Sequence, residues 1–145
     1  MTDYADTGFL CSLYAPDAHS ARAISEMNRL TAPLAFTWIH QLEFRNAMRL
    51  RVFRKEINRK QRDASLNDLL ADLAAGVLEH RSPELPEVMT EAERLSASHS
   101  ERIGTRSLDI LHVAAALVEG SRLFLTFDTR QAKLAKASGL KVKSL

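Results

Sequence analysis

Four acids in this 145-residue chain carry its most legible chemistry: Asp6, Glu43, Asp109 and Asp128. Hard cations such as Mg²⁺ and Mn²⁺ take carboxylate and water oxygens. Carboxylates gathered at one place raise one another's pKa unless a cation offsets their repulsion. A cation held that way orients a water, makes it a better nucleophile and stabilises charge on a phosphodiester. The single cysteine, Cys11, lacks a His/Asn pattern nearby and is read as a small core residue. The acids therefore point to metal-assisted phosphodiester hydrolysis. The chain holds 18 Asp and Glu residues, so spacing alone offers many other sets of four. Each acid also has a structural role open to it. Asp128 is a good N-cap for a following helix, with Gln131 completing a capping-box pattern. Asp109 in a first helical turn meets the helix dipole favourably, and Asp6 can cap the short helix after it. Glu43 is harder to explain that way, because a half-buried carboxylate beside an apolar stripe needs a partner.

The elements that must position these acids alternate between strands and helices. Tyr4-Ala5-Asp6 reads as a short strand, and Gly8 to Tyr14 as a helical turn or two that stops near Pro16. Ser20 is the expected N-cap of a helix carrying Ala23, Met27 and Leu30, broken by Pro33. Leu34 to Thr37 reads as a second strand, followed by a helix from about Trp38 to Phe53. Ile39, Leu42, Asn46, Leu50 and Phe53 form the stripe expected to face inward on that helix. A further helix is expected from about Ser65 to Ala75, with Ser65 and Asp68 as a weak capping box and Gly76 at its end. Val77 to His80 reads as a strand. Pro86 opens a helix running to about His99, and Gly104 marks a loop. Ser107 is the expected cap of an apolar helix from Leu108 to Glu119. Leu123 to Phe127 is the clearest strand, followed by a helix from Thr129 to Ser138 and a last strand at Leu140 to Val142. This alternation predicts one α/β domain over residues 1–145 with a mostly parallel sheet. Asp6 and Asp128 then stand at or just past the C-terminal ends of strands, where open parallel sheets bind ligands.

Composition narrows the class. The 46% hydrophobic and 26% charged residues are those of an ordinary globular protein. No apolar run approaches the length needed to cross a bilayer, and the N-terminus lacks the features of a signal peptide. The expectation is a soluble, cytoplasmic protein with no membrane contact. A net charge of +2 does not by itself announce a nucleic-acid partner. Its distribution says more: Arg45, Arg49, Arg51, Arg54, Lys55, Arg59, Lys60 and Arg62 are interrupted by one acid, Glu56. Such a stretch attracts a phosphate backbone or simply forms a solvated helix face.

In order along the chain, four segments resemble the PIN-domain family and, within it, the VapC toxins of bacterial toxin–antitoxin pairs. Tyr4-Ala5-Asp6-Thr7-Gly8-Phe9-Leu10 is similar to the opening strand with its Asp-Thr step. Gln41-Leu42-Glu43-Phe44-Arg45-Asn46-Ala47 is similar to the Glu-bearing motif, and Ser107 to Ala116 to the third motif. Leu123 to Asp128, followed by Gly139-Leu140-Lys141-Val142, resembles the closing motif. The resemblance implies a three-layer α/β/α sandwich around the parallel sheet. It implies an acidic pocket in which Asp6 and Asp109 are the first-choice metal ligands, with Glu43 and Asp128 binding directly or through water. Thr7 and Thr126 would be supporting hydroxyls. The implied activity is a Mg²⁺- or Mn²⁺-dependent endoribonuclease, the toxin of a type II pair, with RNA as substrate, a cognate antitoxin and a homodimer. Arg45, Arg49 and Arg106 are the RNA-binding candidates. Two alternatives stay open: a PIN-like module that binds RNA or protein without cutting, and a nuclease acting on DNA or structured ends. Three other side chains have two readings each. His112 is a partner of the acids or a metal ligand, or else a buried, hydrogen-bonded histidine. Trp38 is a base-stacking or a packing residue, and Arg106 contacts phosphate or pairs with the acids.

Overall fold

A computed structural model describes residues 1–145. Strand β1 (Tyr4–Ala5) leads into helix α1 (Thr7–Tyr14) and α2 (Ser20–Met27). Strand β2 (Leu34–Phe36) is followed by α3 (Trp38–Phe53) and α4 (Arg59–Ala74). After β3 (Leu78–His80) come α5 (Leu85–Leu95), a wider π turn over Ser96–Ser100, and the single turn α6 (Glu101–Ile103). Helix α7 (Ser107–Val118), β4 (Leu123–Thr126), α8 (Thr129–Ala137) and β5 (Lys141–Ser144) complete the chain. No helix is long and apolar enough to cross a membrane.

All the paired strands are parallel. β1, β4 and β5 form one ribbon, in that order, and β2 and β3 another. The Asp3–Leu34 bridge joins them, through Asp3 N donating to Pro33 O and Ala35 N donating to Asp3 O, each at 2.9 Å. The resulting order, β3-β2-β1-β4-β5, reverses direction between β1 and β4. Parallel sheets of this kind open a crevice beyond the strand ends at such a reversal.

Successive strand residues point to opposite faces, so a short buried strand feeds two cores. Tyr4, Ala35 and Phe124 face one apolar cluster, with Val88 and Leu95 of α5, Val113 to Ala116 of α7, and Leu134 of α8. Ala5, Leu34, Phe36 and Leu125 face the other, with Phe9 and Leu10 of α1, Phe44 and Met48 of α3, and Leu69 of α4. Two helical layers on a central sheet make the expected α/β/α sandwich. The run Ala114-Ala115-Ala116 is fully buried and brings α7 close against the sheet.

Several local expectations are corrected. The inward face of α3 is Ile39, His40, Phe44 and Met48. Leu42 and Phe53 are 71% and 82% exposed and Leu50 is exposed, so the stripe read from apolar residues lies mostly on the outside. Helix α4 starts at Arg59, six residues before the expected Ser65. Asn58 caps it, accepting from Gln61 N at 2.8 Å while Gln61 returns a bond to Asn58 N. Ser65 is a buried interior residue of that helix. His19, not Ser20, is the residue before α2, and Arg106, not Ser107, precedes α7. The helix expected to reach His99 leaves α geometry at Ser96.

Candidate active site

The crevice at the sheet reversal is a cavity of about 440 Å³. Asp6, Glu43, Asp109 and Asp128 all line it, with Thr7 and His112 between them. The four acids separated by up to 122 positions in sequence therefore share one opening.

Each is set by its own element. Asp6 follows β1 and caps α1: Oδ1 accepts from Phe9 N at 2.9 Å, with extended backbone at φ −71°, ψ 169°. Parallel pairing of Ala5 with Leu125 puts Asp6 beside Thr126, whose hydroxyl donates to Asp6 Oδ2. The same Thr126 oxygen accepts from Asp128 N at 2.9 Å, tying the ends of β1 and β4 together. Asp128 caps α8, accepting at Oδ1 from Arg130 N (2.8 Å) and Gln131 N (3.0 Å). The capping role and the place on the cavity thus coexist. Gln131 does not return the capping-box bond; its amide has no partner. Asp109 lies in the first turn of α7, and Arg106 Nε donates to its Oδ2 at 3.2 Å. Gly104, at φ 73°, ends α6 in the left-handed region and lets the chain turn toward Arg106.

Glu43 has the partner it requires. Thr7 Oγ1 donates to its Oε1 at 2.9 Å, and His112 Nε2 donates to the same oxygen. His112 Nδ1 accepts from the Tyr4 hydroxyl at 2.9 Å, a network that assigns the Nε2–H tautomer. His112 is buried and hydrogen-bonded and also supports Glu43, so its two readings coexist. A Cβ on Gly8 would stand 3.6 Å from Asp6 Oδ1, ordinary contact distance, so glycine is not needed there for space.

The electrostatics of the acids differ. Burial raises the Asp6 carboxyl above its usual range. The bonds from Thr126 and Phe9 and the nearby His112 counter this only in part, and Asp128 adds to it. Burial also pushes Glu43 upward, but the hydrogen bond from the nearby His112, with the Thr7 bond, outweighs it and leaves Glu43 below its usual range.

The donor set is all oxygen, four carboxylates against the single guanidinium of Arg106, and suits a hard cation. Asp6 in particular is desolvated without a full countercharge. No three His, Cys, Asp or Glu side chains are gathered tightly enough to enclose an ion by themselves. A cation here would be held by one or two carboxylates and otherwise by water, the mode Mg²⁺ favours.

Other candidates separate. Arg106 faces the cavity, paired with Asp109 and with its side chain 74% exposed. Arg45 and Arg49 do not; with Arg62 they rim a second hollow of about 230 Å³, floored by Phe44, Met48 and Leu66. Trp38 packs at the entry to α3, its Nε1 donating to Pro83 O at 3.0 Å. Cys11 is buried, and burial raises its thiol pKa. Sequence reasoning did not single out His19 or Phe127, which also line the cavity, because nothing in their spacing marks them.

The family model described as PIN domain matches residues 4–137. No curated protein matches the chain significantly. Among solved structures, VapBC2 from Rickettsia felis, bound to a DNA fragment from their promoter, is similar at TM-score 0.70 and 16% identity, over 99% of this chain and 98% of that one. FitAcB from Neisseria gonorrhoeae is similar at TM-score 0.62 and 18% identity, over 97% and 96% of the two chains. FitAB bound to an IR36 DNA fragment gives TM-score 0.68 and 16% identity, over 99% and 94%.

Proposed function

This chain belongs to the PIN domain family, and from that premise we propose that it is a divalent-metal-dependent endoribonuclease, the toxin of a type II toxin–antitoxin pair. The observation that carries the reading is the meeting of Asp6, Glu43, Asp109 and Asp128 on one cavity at the sheet reversal. Asp6 and Asp109 are the first choice to hold Mg²⁺ or Mn²⁺, with Glu43 and Asp128 acting directly or through water. When bound, the ion activates a water and stabilises charge on the phosphodiester.

The protein's own groups orient this chemistry. The Thr126 and Phe9 donors fix both oxygens of Asp6. Thr7 and His112 hold one oxygen of Glu43 and leave the other without a protein partner. Arg106 can exchange Asp109 for a phosphate oxygen, because its side chain is largely exposed. The purified protein is expected to cleave single-stranded RNA with Mg²⁺ or Mn²⁺, to stop in EDTA, and to spare the all-deoxy strand. RNA binding without cleavage under every metal condition would instead identify a binding module, and equal cleavage of both strands a nuclease without RNA specificity.

Arg45 and Arg49 add a cationic approach outside the cavity. If both contact phosphates, the Arg45→Ala, Arg49→Ala double variant should flatten the log–log salt dependence of RNA affinity by about 1.4, from about 0.7 per single-strand phosphate contact. An unchanged slope would remove them from the interface. The antitoxin partner and homodimer rest on the VapC resemblance and on the fold shared with VapBC2 and FitAB. Exposed Leu85, Met89 and Leu108 support it as apolar surface for a partner to cover.

A further inference from the structure

Building on the nuclease reading of the cavity, we propose that His19, held by Phe127, is a stacking shelf for a base of the RNA strand beside the acids. Three near-parallel rings run from the core to the surface here. Phe9 is fully buried and stacks with the partly buried Phe127, with centroids 5.6 Å apart and planes at 18°. Phe127 stacks with the exposed His19 at 4.4 Å, again at 18°. Both His19 and Phe127 line the acid cavity. The imidazole makes no side-chain hydrogen bond or ion pair; only the backbone of His19 is engaged, its N–H by Asp17 and its carbonyl by Ala23 N.

The backbone that carries the ring is nevertheless fixed in place. Asp17 Oδ1 accepts from His19 N at 2.8 Å, and Asp17 N donates to Ser20 Oγ at 2.8 Å. Asp17 Oδ2 accepts from Ser12 Oγ at 2.9 Å and from Arg51 Nη2 of α3 at 3.3 Å. The turn thus presents an aromatic face at the cavity rim on a tied backbone and backed by Phe127. A flat, exposed ring with no polar partner is suited to the π-face of an unstacked base. Single-stranded RNA offers such bases, and stacking accepts any of the four. His19 is therefore a substrate-positioning residue.

The test uses a short single-stranded RNA carrying 2-aminopurine, whose fluorescence falls on stacking, titrated in EDTA so that no strand is cut. The wild-type protein is expected to quench the probe. His19→Ala should abolish the quench and weaken binding about tenfold, and His19→Phe should keep both. Three results overturn the shelf: no quench by wild type, an unchanged quench and affinity in His19→Ala, or a loss in His19→Phe as large as in His19→Ala. Cleavage is followed separately with Mg²⁺ or Mn²⁺, so a protein that stacks the probe but never cuts RNA sinks the nuclease reading alone.

Discussion

Asp6→Asn is expected to lower metal-dependent RNA cleavage at least about a hundredfold, since even outer-shell partners of metal ligands cost ten- to a hundredfold. The same variant should melt within about 3 °C of wild type. Asparagine keeps the side-chain oxygen that accepts from Phe9 N, so the cap of α1 survives. Its amide can donate to the Thr126 oxygen that now donates to Asp6 Oδ2. It also removes a buried carboxyl whose ionisation the pocket disfavours. Function and stability therefore part company at this position. Wild-type cleavage in Asp6→Asn would refute the site assignment. A large fall in melting temperature would instead make Asp6 a structural residue, and the kinetic loss would then say nothing about metal.

The second large effect concerns acid. His40 is fully buried; burial, with the neighbouring His112, depresses its pKa to about 3. Its neutral form is fixed at both nitrogens: Nδ1 accepts from Thr37 N at 3.0 Å, and Nε2 donates to Ala5 O at 2.7 Å. The unfolded chain takes up a proton at this residue near pH 6.5, while the folded chain resists until about pH 3. Stability from this group is thus intact above pH 6.5 and is lost as pH falls through that window. At about 1.4 kcal/mol per pH unit, roughly 3–4 kcal/mol should disappear by about pH 3.5. Denaturant titrations in EDTA check this, best in the Asp6→Asn background, because the raised Asp6 carboxyl contributes with the opposite sign. Replacing His40 with Gln should lower stability near neutrality and flatten the acid slope. A slope unchanged by that replacement would show that other groups carry it.

The sequence announced some parts of this molecule more clearly than others. The span of α3 was readable because helical spacing sets in directly after the strand that ends at Thr37, and Trp38–Phe53 is the observed span. Its buried face was not. Hydrophobicity pointed to Leu42, Leu50 and Phe53, whereas the inner face accepts His40 because two main-chain groups satisfy the imidazole. The start of α4 was hidden behind Arg59, Lys60 and Arg62, whose charges resemble a loop, although Asn58 and Gln61 held the capping signal. The four acids were legible because strand ends and motif order locate them. His19 was not, because its position depends on Asp17, Ser12 and Arg51, contacts that no local pattern encodes.

β1 is two residues long and takes its hydrogen bonds from β4, 120 positions later. A ribosome makes the Asp6 end 120 residues before the Thr126 end. Until Thr126 has emerged, Asp6 lacks the hydroxyl that orients it, and Asp128 does not yet exist beside it. A nascent chain that stops short of Asp128 therefore cannot carry a finished cavity.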